Sequence, residues 1–498
     1  VPYLSFDVGS SSVKAAVISE DGGLLGFGRS PVPLTHGPDG AHEADPSAWV
    51  EAAFRSGRAA VAAARGDSSK GGPEVRAIAV SGNGPTLLAA DADGKPIRPA
   101  LSWMDRRART EAEEVSRIAG FPIDAGFYLP KALMLYRNLA EVRERVRWFF
   151  SCPEYLAFAL CGEAVTYLPS PGYEPYIWDD RSIGAVGIPK ELFPPFVAPA
   201  ERIGALSRDS ADRLGLAAGV PLVSAFPDFL AAIVGSASVE PGCACDRSGT
   251  SEALNICAER PFPGKEILSL PHAISGLWNL SGGVSAAGAA LDWLDGILGS
   301  GLDARSTNAS SSSEMPAASR VSELAQSSSP GSGGLVFLPY LAGERAPLWD
   351  PDRRGAFVGM SLEHGRAEIA RAACESLAFG LRLAADIARS GGFSLSLVRA
   401  SGFAARDDFL CALKAEVLGV PVEAPAIADC ELVGDAAACA LALGDSCGLA
   451  ESSRALFRAR RRFDPESPGA YDEHYGSFKS ALAALAPFDA DRPKGKTS

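Results

Sequence analysis

The sequence predicts a duplicated α/β fold: two related domains with a cleft between them. Three observations carry this expectation. An apolar strand from Leu4 runs into Asp7-Val8, turns through Gly9-Ser10-Ser11-Ser12 and resumes as a second apolar strand, Val13 to Ile18. The same device returns in Cys245-Asp246-Arg247-Ser248-Gly249-Thr250-Ser251-Glu252-Ala253-Leu254-Asn255. Strand-like and helix-like stretches alternate in both halves, as α/β architectures require. At 498 residues the chain exceeds what one core fills, so two domains are expected, 1–240 and 241–498.

Residues 3–30 read as strands joined by turns, with Glu20-Asp21-Gly22-Gly23 a strong hairpin signal. Pro46 to about Ala64 has helical spacing, with Asp45 as N-cap and Pro46 at the first helical position. Val75 to Ser81 is a short strand ending in Ser81-Gly82-Asn83-Gly84-Pro85, and Leu87–Ala90 is another. Helical patterns run from about Asp105 to Ile118 and from Lys131 to Arg147. The Pro/Gly-rich passage 168–200 reads as surface loops or a lid. Ala225-Phe226-Pro227-Asp228 ends a strand and opens an apolar helix to Ser236. The Ser-rich stretch 304–333 reads as a mobile surface segment interrupted by a short helix at Val321–Ala325. Arg366 to Ser390 is a long helix stopped by Gly391-Gly392, and Ser394–Ala400 is a strand meeting Ser401-Gly402. Tyr471, Tyr475, Phe478, Leu482 and Leu485 form one face of a C-terminal helix, and the last ten residues are expected to fray.

Composition narrows the function classes. The chain is 47% hydrophobic and 21% charged, as globular proteins are, with a net charge of −13. That balance argues against nucleic-acid or anionic-membrane partners, which reward clustered Lys and Arg. No run approaches the length of a membrane span. The ten cysteines fall in no zinc-site spacing and read as buried reduced thiols, so the expected compartment is the cytoplasm.

A strand–Gly turn–strand offers backbone N–H groups and hydroxyls to an anion, with Asp7 alongside to hold a cation. Two such turns facing each other suit a polyphosphate and point to an ATP-using enzyme. Neither common phosphate loop is present. Gly94-Lys95 is followed by Pro96 and lacks the upstream glycine of a Walker loop, and Gly82-Asn83-Gly84 lacks the third glycine of a dinucleotide fingerprint.

Six segments in order resemble the FGGY family of carbohydrate kinases. Asp7-Val8-Gly9-Ser10-Ser11-Ser12-Val13-Lys14 is similar to the family's first phosphate motif, and Trp103-Met104-Asp105-Arg106-Arg107 to its sugar-site motif. Asp228 with Ala231-Ala232 and Gly235 resembles the catalytic Asp segment, and Gly249-Thr250-Ser251 the second phosphate motif. Gly343-Glu344-Arg345-Ala346-Pro347 and Gly355-Ala356-Phe357-Val358-Gly359 resemble two later segments.

The resemblance implies a duplicated actin-like, ribonuclease-H-like fold and transfer of the γ-phosphoryl group of ATP to a sugar hydroxyl. It implies Asp228 as general base and Asp7 as organiser of Mg²⁺. Gly9, Ser10, Ser12, Lys14, Gly249 and Thr250 become phosphate contacts, and Gly288, Asp292 and Gly402 nucleoside contacts. Asn83, Gly84, Trp103, Asp105 and Arg107 become sugar contacts. The expected partners are ATP/ADP and a small ketose or polyol, and a homodimer is compatible with the sequence.

Four departures bear on substrate and efficiency. Xylulokinases carry Gly-Gln-Met-His-Gly where this chain has Gly82-Asn83-Gly84-Pro85, so the ketose-contacting Met and His are missing. Pro227 stands where glycine is usual before the base, and Ser401 and Phe403 replace glycines of the adenosine turn. Glu174, Trp178, Asp179 and Asp180 lie in the lid-like region, where pocket lining competes with a solvated acidic loop. Two alternatives stand beside the sugar kinase: a glycerol- or erythritol-type polyol kinase, and a catalytically impaired nucleotide-binding regulatory homologue.

Overall fold

The computed structural model describes residues 2–66, 74–299 and 315–490. The expectations for 304–314 and for the last eight residues of the chain lie outside them. In the first half, strands β1 (Tyr3–Val8), β2 (Ser12–Ile18), β3 (Leu24–Pro31), β4 (Ile78–Gly82), β5 (Arg202–Ala205) and β6 (Pro221–Val223) form one sheet. Its order is β5-β6-β4-β1-β2-β3. In the second half, β7 (Cys243–Ser248), β8 (Glu252–Ala258), β9 (Leu268–Pro271), β10 (Trp278–Val284), β11 (Leu397–Gly402), β12 (Val422–Pro425) and β13 (Ala459–Phe463) run in the order β9-β10-β8-β7-β11-β12-β13.

The two sheets repeat one pattern. From β3 across to β5 the pairings are antiparallel, antiparallel, parallel, parallel, antiparallel. From β10 across to β13 the sequence of pairings is identical, with β9 added at the edge. The duplication expected from two matching turns is therefore a duplication of topology.

Helices α1 (Pro46–Arg65), α2 (Asp228–Gly235), α3 (Gly288–Leu298), α4 (Arg366–Ser390), α5 (Asp408–Leu418) and α6 (Cys430–Ala442) pack with these sheets and with one another. Asp45 caps α1, its carboxylate accepting from the Ser47 N–H at 2.9 Å, and α4 has the expected bounds. β1 is wholly buried, which explains its nearly continuous apolar run. Helix α6, from the second half, joins the apolar core of the first and packs along α2.

Three element boundaries differ from expectation. The helix expected from Asp105 starts at Arg109, because Asp105 is bonded into the preceding loop. The helix expected over Lys131–Arg147 is two, Tyr128–Asn138 and Ala140–Arg145, broken where Leu139 turns extended at φ −121°. The passage 168–200 is not a purely surface loop. It holds short helices Glu174–Ile177 and Asp180–Val186, and buries Tyr173, Ile177, Trp178 and Ile183. Among the described residues, no helix is long and apolar enough to cross a membrane.

Candidate active site

Both glycine turns close by backbone bonds that leave their tips free. The Gly9 N–H donates to Ser12 O at 3.0 Å, and the Gly249 N–H to Ser251 O at 2.7 Å. Gly249 and Thr250 are exposed, and Ser10 is half-exposed. Ser12 is buried, its hydroxyl accepting from Arg29 Nε at 3.0 Å. Helix α3 starts directly on the second turn: the Gly288 N–H donates to Gly249 O at 3.1 Å. A Cβ at Gly288 would stand 2.5 Å from that oxygen, so a larger residue would push the helix off the turn.

The Phe403 ring edge reaches to 3.4 Å from the same Cβ position, and the Gly402 N–H is fixed to Ala428 O at 2.8 Å. Gly249, Thr250, Gly288, Gly402 and Phe403 thus converge. Asp292 lies one turn along α3 and is exposed, its carboxyl raised by partial burial and by Asp295.

Asp7 lies one residue before the end of β1, 3% exposed, opposite Lys14 in the hairpin register. Lys14 Nζ donates to Asp7 Oδ2 at 3.1 Å and pairs with Asp429 at 3.0 Å, and Arg406 also pairs with Asp429. Asp7 Oδ1 is buried without a hydrogen-bond partner. Burial raises the Asp7 carboxyl to about 6 against the opposing charge of Lys14. An orphaned carboxylate oxygen beside a phosphate-sized turn fits a hard divalent cation. Among the described residues no group of three or more His, Cys, Asp or Glu could hold a metal alone, so such an ion would share its shell with water and phosphate oxygens.

Asp228 opens α2 and is 8% exposed. Its Oδ1 accepts the Phe229 N–H at 2.7 Å, and its Oδ2 accepts from Arg247 Nη2 at 2.7 Å. Arg247 Nε also donates to Glu431 Oε1 at 3.0 Å. Burial raises the Asp228 carboxyl; Arg247 opposes and Glu431 reinforces the shift. Pro227 forms a parallel bridge with Gly82, which sets the base beside the turn containing Asn83 and Gly84.

That turn is rigid. The Asn83 amide donates to Val8 O at 2.8 Å, and its carbonyl accepts from Thr86. A Cβ at Gly84 would meet the Tyr128 hydroxyl at 2.6 Å, so this ring fills the space of a side chain at 84. Trp103 Nε1 donates to Ser10 Oγ at 3.0 Å, and the Arg345 guanidinium lies 5.3 Å over the Trp103 ring. These contacts join the first glycine turn to the loop that carries Trp103.

Asp105 is fully buried. It accepts from Arg107 Nε at 3.1 and 3.0 Å and from the His42 N–H at 3.0 Å, while Arg107 also pairs with Glu43 at 2.5 Å. Burial would raise the Asp105 carboxyl, but Arg107 and these backbone donors hold it below its usual value. The Asp105–Arg107 pair therefore ties down the loop that presents Trp103. Of the four lid-region residues, Trp178 lines a small cavity with Tyr128, Glu154 and Pro227. Asp179 caps Asp180–Val186, Asp180 pairs with Lys190 at 2.5 Å, and Glu174 accepts the Gly172 N–H.

Models of the FGGY carbohydrate kinase N-terminal domain and C-terminal domain match residues 2–235 and 247–443. The chain belongs to the FGGY family of carbohydrate kinases. A xylulose kinase of Staphylococcus epidermidis is 26% identical over 98% of both chains. A glycerol kinase of Thermus brockianus is 29% identical over 94% of this chain and 95% of its own. The crystal structure of a xyloylose kinase from Brucella ovis superposes with a TM-score of 0.82 at 26% identity, covering 98% of this chain and all of that one. This FGGY kinase therefore has the two-domain actin-like fold of its relatives, and it is a sugar kinase, a phosphotransferase with an alcohol acceptor.

The sequence reading missed Arg247, Glu431, Lys414 and Tyr128. Arg247 lies inside the second strand–turn–strand segment, and its charge immediately before Ser248-Gly249 was the available signal. The others come from elements whose placement no local pattern announces.

Proposed function

We propose that this FGGY kinase, its halves dividing near residue 240, moves the γ-phosphoryl group of ATP onto a hydroxyl of a small ketose or polyol, with Asp228 as general base. One observation carries the reading: Asp228 is the buried carboxylate that opens α2, bridged through Pro227 to the acceptor-side turn and through Arg247 to the strand leading into Gly249-Thr250. A carboxylate so placed accepts the acceptor's proton as the phosphoryl group arrives.

Gly9, Ser10, Gly249 and Thr250 offer N–H and hydroxyl donors to the phosphates, with Lys14 adding positive charge. Gly288, Gly402 and Phe403 face the nucleoside, with Asp292 on the rim. Asn83, Gly84 and Trp103 face the acceptor, and Asp105 with Arg107 fixes their loop. Asp7 is the residue suited to hold Mg²⁺, which when bound would neutralise charge on the phosphates. Closure of the halves excludes the water that would otherwise hydrolyse ATP.

A glycerol- or erythritol-type acceptor is the second reading. It is favoured by the Tyr128 hydroxyl, which fills the space over Gly84 and narrows the acceptor side. A coupled ADP-release assay across ketoses, polyols and aldonates tests both. Turnover is expected with at least one acceptor, and Asp228→Asn should lower kcat by about 10²–10⁴-fold with ADP binding retained. Absence of turnover across the panel would overturn the proposal in favour of a nucleotide-binding regulator.

A further inference from the structure

The two halves exchange cations in a reciprocal way. Val8 and Ser248 each precede a turn glycine, and they pair in matching parallel registers, Val8 with Gly82 and Ser248 with Gly402. One position earlier, the first half carries Asp7 and the second carries Arg247. Lys14, from the first hairpin, reaches Asp429 at the N-cap of α6 in the second half. Arg247, from the second hairpin, reaches Asp228 at the start of α2 in the first half. The second half has thus put a cation where its twin has an acid, and aimed it at Asp228.

Without that cation the pocket is hostile to negative charge. Burial, Glu431 and Asp7 all disfavour the anion, and the neighbouring Tyr128, Tyr173 and Cys152 bring no positive charge. Arg247 is shared between Asp228 and Glu431, so its fork has a fixed direction. With the Phe229 N–H on the other oxygen, both Asp228 oxygens are engaged and the carboxylate plane is set.

We infer that Arg247 is a positioning residue for Asp228, a cation from the nucleotide half that crosses to orient the base and neutralise the acidic pocket around it. The inference rests on Asp228 being the base, and its consequence is that the base is aligned only while the two halves are apposed.

The experiment compares the whole wild-type chain with Arg247→Ala, Arg247→Lys and Asp228→Asn, using the best acceptor from the panel and calorimetric ADP binding. Arg247→Ala should lower kcat by about 10–100-fold, the scale of a misplaced reacting group, while ADP affinity and acceptor KM stay near wild type. Added guanidinium should restore part of the lost rate, because the Arg247 side chain is 30% exposed, and Arg247→Lys should keep an intermediate rate. A merely structural role would not respond to guanidinium. Full activity in Arg247→Ala, or lost rate that neither guanidinium nor lysine recovers, would overturn the inference. So would ADP affinity falling in step with rate, which would put the guanidinium on the phosphates instead. Asp228→Asn separates the premises: an active Asp228→Asn refutes the base itself, whereas an inactive one with an active Arg247→Ala refutes only the positioning role.

Discussion

Lys414 shows how much of the second glycine turn hangs on single buried charges. It is 2% exposed on α5 and contacts Asp246 Oδ2 at 2.5 Å and Glu252 Oε1 at 2.6 Å, the acids flanking the second turn. Burial and Asp246 push the Glu252 carboxyl up to about 7 despite Lys414. Lys414→Met would strand two buried carboxylates beneath Gly249-Thr250. A stability loss of about 3–5 kcal/mol is expected, read as a lower melting temperature, with weaker ADP binding alongside. An unchanged melting temperature would refute this account. The turn itself was legible in the sequence; its support was not, because Lys414 sits 162 residues beyond Glu252. Asp105 and Arg107 teach the converse. Their spacing was visible, but the bonds to Glu43 and to the His42 N–H arise only once a distant strand is in place.

Helices α2 and α6 meet through reciprocal glycines. A Cβ on Gly235 would collide with Cys430 O, and one on Gly434 would collide with Ala231 O, so each backbone nests against the other. Since α2 carries Asp228 in its first turn and α6 carries Glu431, this contact sets the distance between the two carboxylates that share Arg247. Gly434→Ala must separate the helices, with an expected cost of about 1–3 kcal/mol and reduced kcat. Gly296, within α3, meets nothing within 4 Å, so Gly296→Ala should stabilise by about 0.5–1 kcal/mol. Paired thermal melts check both signs, and a Gly434→Ala melt at or above wild type would sink the close-packing argument. Glycine in α2 was readable as part of a family segment, but its partner in α6 was not. A glycine in a helix announces a close approach without naming what approaches.

Across the whole molecule, the segment between the halves is pinned by His272. Its Nε2 faces Ser238 O at 3.2 Å and its Nδ1 accepts the Ile274 N–H at 3.0 Å, a pattern that requires the neutral ring. Burial lowers its pKa from 6.5 to about 4. Between those values the unfolded chain binds the proton and the folded one does not. This contribution to stability is therefore complete above pH 6.5 and falls away as pH drops toward 4, by up to about 3 kcal/mol. Melting temperatures of wild type and His272→Gln from pH 7.5 to 4.5 should diverge in slope below 6.5, with the variant flatter. Parallel curves would contradict the assignment.

The sequence by itself determined the duplicated α/β fold, both glycine turns, the long helix α4, the family, and Asp228 as the carboxylate at a strand-to-helix junction. These are local signals: apolar runs, turn glycines and caps act over a few residues, so they can be read in order along the chain. Tertiary structure alone decided which charges meet. The pairing of Arg247 with Asp228, of Lys14 with Asp429 and of Lys414 with Asp246 depends on packing α2, α6 and α5 against strands that lie elsewhere in the sequence. Electrostatic pairing is a property of distance in space, and the burial that gives each pair its strength exists only after elements far apart in the chain have packed together.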